Sequence, residues 1–316
     1  MPFQPDVGDL HVDRPLSNLS IAYIQSESDF VFSQLTRAIP SDNQTNYYAV
    51  YTKEDFFRDE AEKRAPMTES VGSGFRVSTS SYRCEEYAFH KDIPDEVRNN
   101  ADAPFNVDND ARKFVDQKLL IKRDVLLAAE IFGTGKWATD VAGGTDFNQW
   151  DDWGSSNPVM DIEDGRDAIH SVTSFDPNAI LLGRQVWRQL KHHPYLLELI
   201  KYTQRGVLTQ ELIASLLEID KLVIGQSLKA TNVEGATAAY AYNYGKHALL
   251  MYQVGNPGLL APTAFLSFIW TRQGRSVTMR RLRNDWKRFT RIEGYFNIDH
   301  VISCTDLGYF MENVVA

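Results

Sequence analysis

The sequence predicts an α+β fold: a mixed helix–strand body from which an N-terminal arm, a charged hairpin and a long helix project. Three observations predict it. From about Asp161 onward, helical periods alternate with short, wholly apolar runs, as in a mixed α/β core. Between Ala111 and Phe132, apolar residues hold a 3.6-residue period over some six turns. Across positions 53–70, ten of eighteen side chains are charged, too many for a segment with a core of its own. The chain has 316 residues, 43% hydrophobic and 24% charged, enough for one large or two modest globular domains. No apolar run approaches the roughly 20 residues that cross a bilayer.

The elements follow in order. Residues 1 to about 45 are mostly polar and carry Pro2, Pro5, Pro15 and Pro40, with one modest apolar stretch, Leu19 to Ile24. Met1 to Arg14 is acidic and lacks the apolar centre of a secretory signal. So little apolar surface cannot fold alone, and the arm is expected to lie on its own body or on a neighbouring subunit. Asn46 to about His90 reads as a hairpin. Tyr47-Tyr48-Ala49-Val50-Tyr51 is rich in strand formers, and Phe75, Val77 and Thr79 alternate with Arg76, Ser78 and Ser80 on the return. A two-stranded ribbon is marginal by itself in water. It either folds back on its own domain or lies on a partner, and its length favours the partner. After Pro94 and Pro104, Asp108 and Asp110 mark a helix N-terminus. Asp110 to Phe132 is then a strut of roughly 35 Å at about 1.5 Å per residue, and Gly133 and Gly135 end it. Gly143 to Pro158 is a loop around Trp150-Asp151-Asp152-Trp153, with both tryptophans expected as packing anchors. Helices are expected at Asp161–Ser171, Gln185–Leu190, Pro194–Lys201 and, capped by Thr209, up to Leu217. Buried strands are expected at Ala179–Leu182, Leu222–Ile224, Ala248–Tyr252 and Phe265–Trp270, with a closing strand beginning at Val301.

A search for chemistry returns little. Gly133-Thr134-Gly135-Lys136-Trp137 lacks the spacing and the hydroxyl of a phosphate loop and reads as a helix end. There is no G-x-G-x-x-G at a strand–helix junction, no H-E-x-x-H and no G-x-S-x-G. Cys84 and Cys304 make neither a disulfide framework nor a zinc site. His192 and His193 are adjacent, hence on different helix faces, and suit a helix junction better than a metal. Asp151, Asp152, Asp161, Glu163 and Asp164 form an acidic cluster; as a cation site it would make the chain a soluble metal-dependent enzyme, and as a solvated loop and helix start it would not. No catalytic residue, cofactor or metal is assigned. The basic run 272–291 holds eight bases against Asp285 alone, net +7, which leaves −16 for the other residues of a −9 chain. Trp286 and Phe289 interleave it. It reads either as a nucleic-acid-binding module or as an arginine-rich contact to acidic surface on a second copy, and the acidity of the remainder favours self-contact.

The order of these parts resembles the major capsid protein family of tailed double-stranded-DNA bacteriophages. The likeness is carried by Tyr47 to Arg58 with Arg64-Ala65-Pro66, by Tyr82 to Ala88 with Ile93-Pro94-Asp95-Glu96 and Asn100 to Pro104, and by Asp176-Pro177-Asn178, Gly183, Val186-Trp187, Leu190 and His193-Pro194. Thr209 to Leu217, Val223-Ile224-Gly225 and Thr231 to Gly235 continue it, so that it covers roughly residues 45 to 235. The resemblance implies an N-arm (1–45), an E-loop hairpin (46–92), a P-domain with a spine helix (93–160), a mixed α/β A-domain (161–280) and a return to the P-domain (281–316). It implies a structural, non-enzymatic protein that forms hexamers and pentamers tiling an icosahedral head around packaged DNA. The implied partners are the chain itself, scaffold, portal and cement proteins, with DNA contact on the inner face left open and no membrane. The implied location is the virion, assembled in the host bacterial cytoplasm. Subunit-interface candidates are Tyr47, Tyr51, Lys53, Glu54, Asp55, Phe56, Phe57, Arg58 and Arg64 from the hairpin, with Arg272, Arg275, Arg280, Arg281, Arg283 and Arg288 from the basic run.

Overall fold

The computed structural model describes residues 24–35, 38–101, 105–200, 209–255, 261–271 and 277–316. Most of the expected arm, residues 1–23, and the interface candidates Arg272 and Arg275 lie outside them. In chain order, helix α1 (Val31–Leu35) and strand β1 (Ile39–Ser41) lead into the hairpin strands β2 (Thr45–Tyr51) and β3 (Val77–Arg83), with helix α2 (Lys53–Phe57) between them. Then come β4 (Glu85–Pro94), α3 (Asp95–Asn99), the long α4 (Val107–Ile131), β5 (Thr139–Ala142) and α5 (Pro158–Thr173). β6 (Ala179–Gly183), α6 (Arg184–His192), α7 (Pro194–Ile200), α8 (Gln210–Leu216) and β7 (Lys221–Gly225) follow. The small pair β8 (Leu228–Ala230) and β9 (Tyr240–Tyr242) precedes β10 (Ala248–Met251), β11 (Phe265–Trp270), β12 (Thr278–Asn284), β13 (Phe289–Ile302) and β14 (Gly308–Glu312).

Two five-stranded sheets carry the body. The first runs β1-β11-β13-β12, with β4 along the other edge of β13. The second runs β5-β14-β10-β6-β7, and every residue of β6 and β10 is buried, as expected of strands covered on both faces. α4 joins them. Asn106 caps it by accepting from the Asn109 amide at 3.1 Å, and Ala111, Val115 and Leu119 press its first half against the first sheet. Glycine at Gly294 permits that approach, since a Cβ there would lie 2.6 Å from Leu119 and 3.0 Å from Val115. At the other end, Leu127, Ala128 and Ile131 are buried, and the Phe132 ring meets Tyr244 at 5.3 Å and Phe310 at 5.4 Å over the second sheet.

The structure corrects several expectations. Residues 30–35 of the arm are not short of apolar surface: Phe30, Val31, Phe32 and Leu35 are all buried in the chain's own body. Asp124 on α4 secures them by accepting from the Val31 amide at 3.0 Å, and it also takes the Tyr244 hydroxyl at 3.0 Å, the Asn243 amide at 3.3 Å and the Ser227 hydroxyl. Burial holds its carboxyl above the ordinary range. Val301 does not begin a strand; it lies near the end of β13, whose fourteen residues pair with β4, β11 and β12. The sheets also cross the expected boundaries near 160 and 280. β11 and β12 belong with β13 beneath the long helix, whereas β5 and β14 sit in the sheet built on β6 and β10. Trp150 is wholly buried as an anchor, but Trp153 is half exposed.

Candidate subunit interface

The ribbon is built from its root outward. β2 and β3 pair antiparallel in a seven-residue register from Thr45↔Arg83 to Tyr51↔Val77. Its root is welded to the first sheet: Tyr82 stacks on Phe268 at 3.9 Å, Tyr48 packs on the same ring at 5.9 Å, and Cys84 is buried beside them. The Cys84 amide donates to the Gln44 carbonyl at 2.9 Å, closing the ribbon there. Burial pushes the Cys84 thiol up to about 11, which leaves it protonated and inert at neutral pH.

Beyond the root, the ribbon has no core. Neither strand buries more than Tyr82, α2 buries nothing, and residues 61–79 are exposed throughout. Tyr51, Phe56 and Phe75 form a triangle of rings 5.8–6.0 Å apart, open to solvent on its outer side. Phe56, Phe57 and Phe75 are each more than half exposed, Val71 likewise, and Met67 fully so. Such side chains each gain roughly 2 kcal/mol on full burial, so the distal end carries unspent driving force for association. Its charges are largely spent locally. Asp55 receives Arg76 through two guanidinium bonds of 3.1 Å and the Arg76 amide at 2.9 Å, and those bonds hold its carboxyl below the ordinary range. Arg58 lies near Asp55 and Glu60, Glu54 near Arg76, and Arg64 donates to the Thr68 carbonyl. Lys53 reaches the body, pairing with Asp306.

The described part of the basic run, from Thr278 on, lies in the hairpin of β12 and β13, an element the sequence reading did not assign. Register places Arg280 opposite Glu293, and the two form a bidentate pair at 3.1 Å. Arg291 pairs in the same way with Asp92 across to β4, Arg281 reaches Asp108 at 3.2 Å, and Arg283 bridges Asp95 and Asp285. Arg280, Arg281 and Arg283 therefore have carboxylate partners in their own chain, although their side chains remain 42–61% exposed. The turn between the strands presents Trp286, 99% exposed, with Arg288 at φ +49°.

The acidic cluster does not gather into a cation site. Asp161 accepts from the Trp150 indole at 2.7 Å, and burial raises its carboxyl. Asp152 closes its own loop through Ser155 and Gly154, and Asp151 accepts from the Ala316 amide at 3.2 Å. Among the described residues, no three His, Cys, Asp or Glu side chains group to hold a metal. His193 is buried with Nε2 2.9 Å from the Ser156 hydroxyl, a junction fastening rather than a ligand. A 510 Å³ cleft between the start of α4 and β12 holds one carboxylate, Asp108, already paired with Arg98 and Arg281. The metal-enzyme alternative has no support in this geometry.

No protein-family model matches the chain. A major capsid protein of Burkholderia phage BcepMu is 23% identical over 237 residues, covering 73% of this chain and 76% of that one. In structure, a phage-related protein of Bordetella bronchiseptica matches with a TM-score of 0.69 at 19% identity, covering 92% of this chain and 94% of the other. The capsid of cyanophage P-SCSP1u matches with a TM-score of 0.62 at 12% identity over 99% of both chains. The fold is that of phage capsid subunits.

Proposed function

We propose that this chain is the major capsid protein of a tailed double-stranded-DNA bacteriophage, a structural and non-enzymatic subunit whose copies form hexamers and pentamers tiling an icosahedral head. The observation that carries the reading is the ribbon: a firmly rooted extension whose distal aromatics stand open to solvent, on a fold shared with capsid subunits. A lone monomer gains nothing from that arrangement, whereas a neighbouring copy can cover it. In this reading residues 1–45 are the N-arm, 46–92 the E-loop, α4 with the first sheet the P-domain and its spine, and the second sheet with its helices the A-domain. Tyr47, Tyr51, Lys53, Glu54, Asp55, Phe56, Phe57, Arg58 and Arg64 contact the next subunit. The β12–β13 hairpin, with Arg280, Arg281, Arg283, Arg288 and exposed Trp286, offers a second contact, and Arg272 and Arg275 extend it in sequence. Scaffold, portal and cement proteins are the further partners, the head encloses packaged DNA, and assembly takes place in the host bacterial cytoplasm before the protein resides in the virion.

Negative-stain electron microscopy of the purified chain tests this. Closed particles or capsomer sheets are expected, and deletion of residues 54–70 should leave a folded body that assembles poorly. Normal particles from the deleted chain would remove the ribbon from the interface, and a wild type that stays monomeric at high concentration would remove the shell.

A further inference from the structure

A stripe of cations without carboxylate partners among the described residues runs along the long helix and the strand beside it. Phe114, Lys118 and Lys122 follow one another at four-residue spacing and so line one face of α4. The strand β4 runs beside them. Phe89 and Phe114, 37% and 44% exposed, meet at 5.9 Å between ring centroids. The ammonium groups of Lys91 and Lys118 each sit 5.5 Å from the Phe114 ring, and that of Lys122 sits 5.3 Å from Tyr87. Exposed Arg112 and Lys113 continue the stripe toward the helix start. None of these five cations has a carboxylate partner among the described residues, whereas Arg280, Arg281, Arg283 and Arg291 all do. Of the unpaired carboxylates on this stretch of helix, Asp110 lies at its start, and Asp116 acts on the half-buried Arg123.

We infer that this stripe of α4 and β4 is a contact site for the phosphate backbone of double-stranded DNA. From Arg112 to Lys122 the helix rises about 15 Å, the length of four or five phosphates on one strand at about 3.4 Å each. Rings that hold the ammonium groups by cation–π contact keep them partly ordered at the surface, so less side-chain freedom is lost when a phosphate binds. The other candidate occupant is the ribbon tip of a second copy. It fits less well: residues 53–70 carry six acids against four bases, and Glu54, Asp55 and Glu60 already face arginines in their own chain. The inference rests on the shell reading for the presence of DNA beside the protein, and it is tested separately from assembly.

The probe is a fluorescein-labelled 30-base-pair duplex of mixed sequence, titrated with the full chain in an anisotropy assay from 50 to 200 mM NaCl. Affinity should fall linearly on logarithmic axes. The K91A/K118A/K122A variant should lower that slope by about 3 in magnitude, at about 0.9 per phosphate contact, whereas K191A/K221A/K229A, an equal charge change elsewhere, should leave it in place. Circular dichroism of both variants confirms folding. An unchanged slope in the first variant, equal slopes in both, or no salt-dependent binding by the wild type overturns the inference. Loss of assembly in K91A/K118A/K122A with no duplex affinity in the wild type also overturns it and assigns the stripe to the ribbon of a second copy. Microscopy of the same samples keeps the readings apart: wild-type shells without duplex affinity sink the DNA site alone, and duplex affinity without shells sinks the capsid reading alone.

Discussion

Replacing His300 by glutamine should remove a large part of the protein's acid sensitivity. His300 lies on β13, 8% exposed, with Nδ1 2.8 Å from the Ser267 hydroxyl on the paired strand. Its ring meets Phe32 edge-on at 5.6 Å, and the Arg123 guanidinium lies over the same Phe32 ring at 4.3 Å. Burial first, and Arg123 second, push the imidazole down to about 4 from its ordinary 6.5. The unfolded chain therefore binds more protons than the folded one between pH 6.5 and 4. Stability from this group is complete above pH 6.5, is lost as pH falls through that window, and stays lost below it. At about 1.36 kcal/mol per pH unit the full loss is roughly 3 kcal/mol, of which about 2 has gone by pH 5. That is a large share of a typical 5–15 kcal/mol. Other groups titrate too. His193 and His247 are lowered by burial and act in the same direction, while Asp124 and Asp299, raised by burial, gain relative stability when protonated. The difference between wild type and H300Q cancels these contributions. Urea midpoints at pH 7.5, 6.5, 5.5 and 4.5 should show the two proteins converging as pH falls, by about 2 kcal/mol at pH 5. Parallel curves would refute the assignment of a buried, neutral His300.

Other perturbations probe the remaining structure. D124A leaves the Val31 amide and the Tyr244 hydroxyl unpaired in a buried site, at roughly 1–3 kcal/mol each; denaturant midpoints should drop, and limited proteolysis should cut sooner around residues 24–35. G308A would set a Cβ 2.1 Å from the buried Trp137 ring, so a loss of at least about 1–3 kcal/mol is expected by thermal melting, and an unchanged midpoint would contradict the packing there. F56S/F57S/F75S should change subunit stability by no more than about 0.5 kcal/mol, because the rings are exposed, while sedimentation velocity should show assembly largely abolished.

Much of this fold is legible wherever a pattern repeats. The 3.6-residue period located α4 to within three residues of its start, and the four buried strands expected between 179 and 270 each fall within one residue of the observed limits, because unbroken apolar runs bounded by turn residues have few other uses. Phe30, Val31, Phe32 and Leu35 were missed because four apolar residues in a polar stretch make a single helical turn, which no window average reveals. β12 and β13 escaped because their alternation is carried by arginines whose partners, Asp92, Asp95 and Asp108, lie some 170 to 200 residues away in sequence. The same distance explains why the basic run looked unneutralised. The ribbon itself was visible in the sequence as charge without core. Its exposed aromatic triangle needed coordinates, since Tyr51, Phe56 and Phe75 meet only when a twenty-five-residue excursion closes.

Hydrogen–deuterium exchange compared between free subunits and purified particles bears most directly on whether neighbouring copies complete this chain. If they do, amides of residues 61–75, exposed and outside the ladder of β2 and β3 in the single chain, should become strongly protected on assembly, while those of β6 and β10 stay protected in both states. Particles in which residues 61–75 exchange as fast as in the free subunit would contradict it.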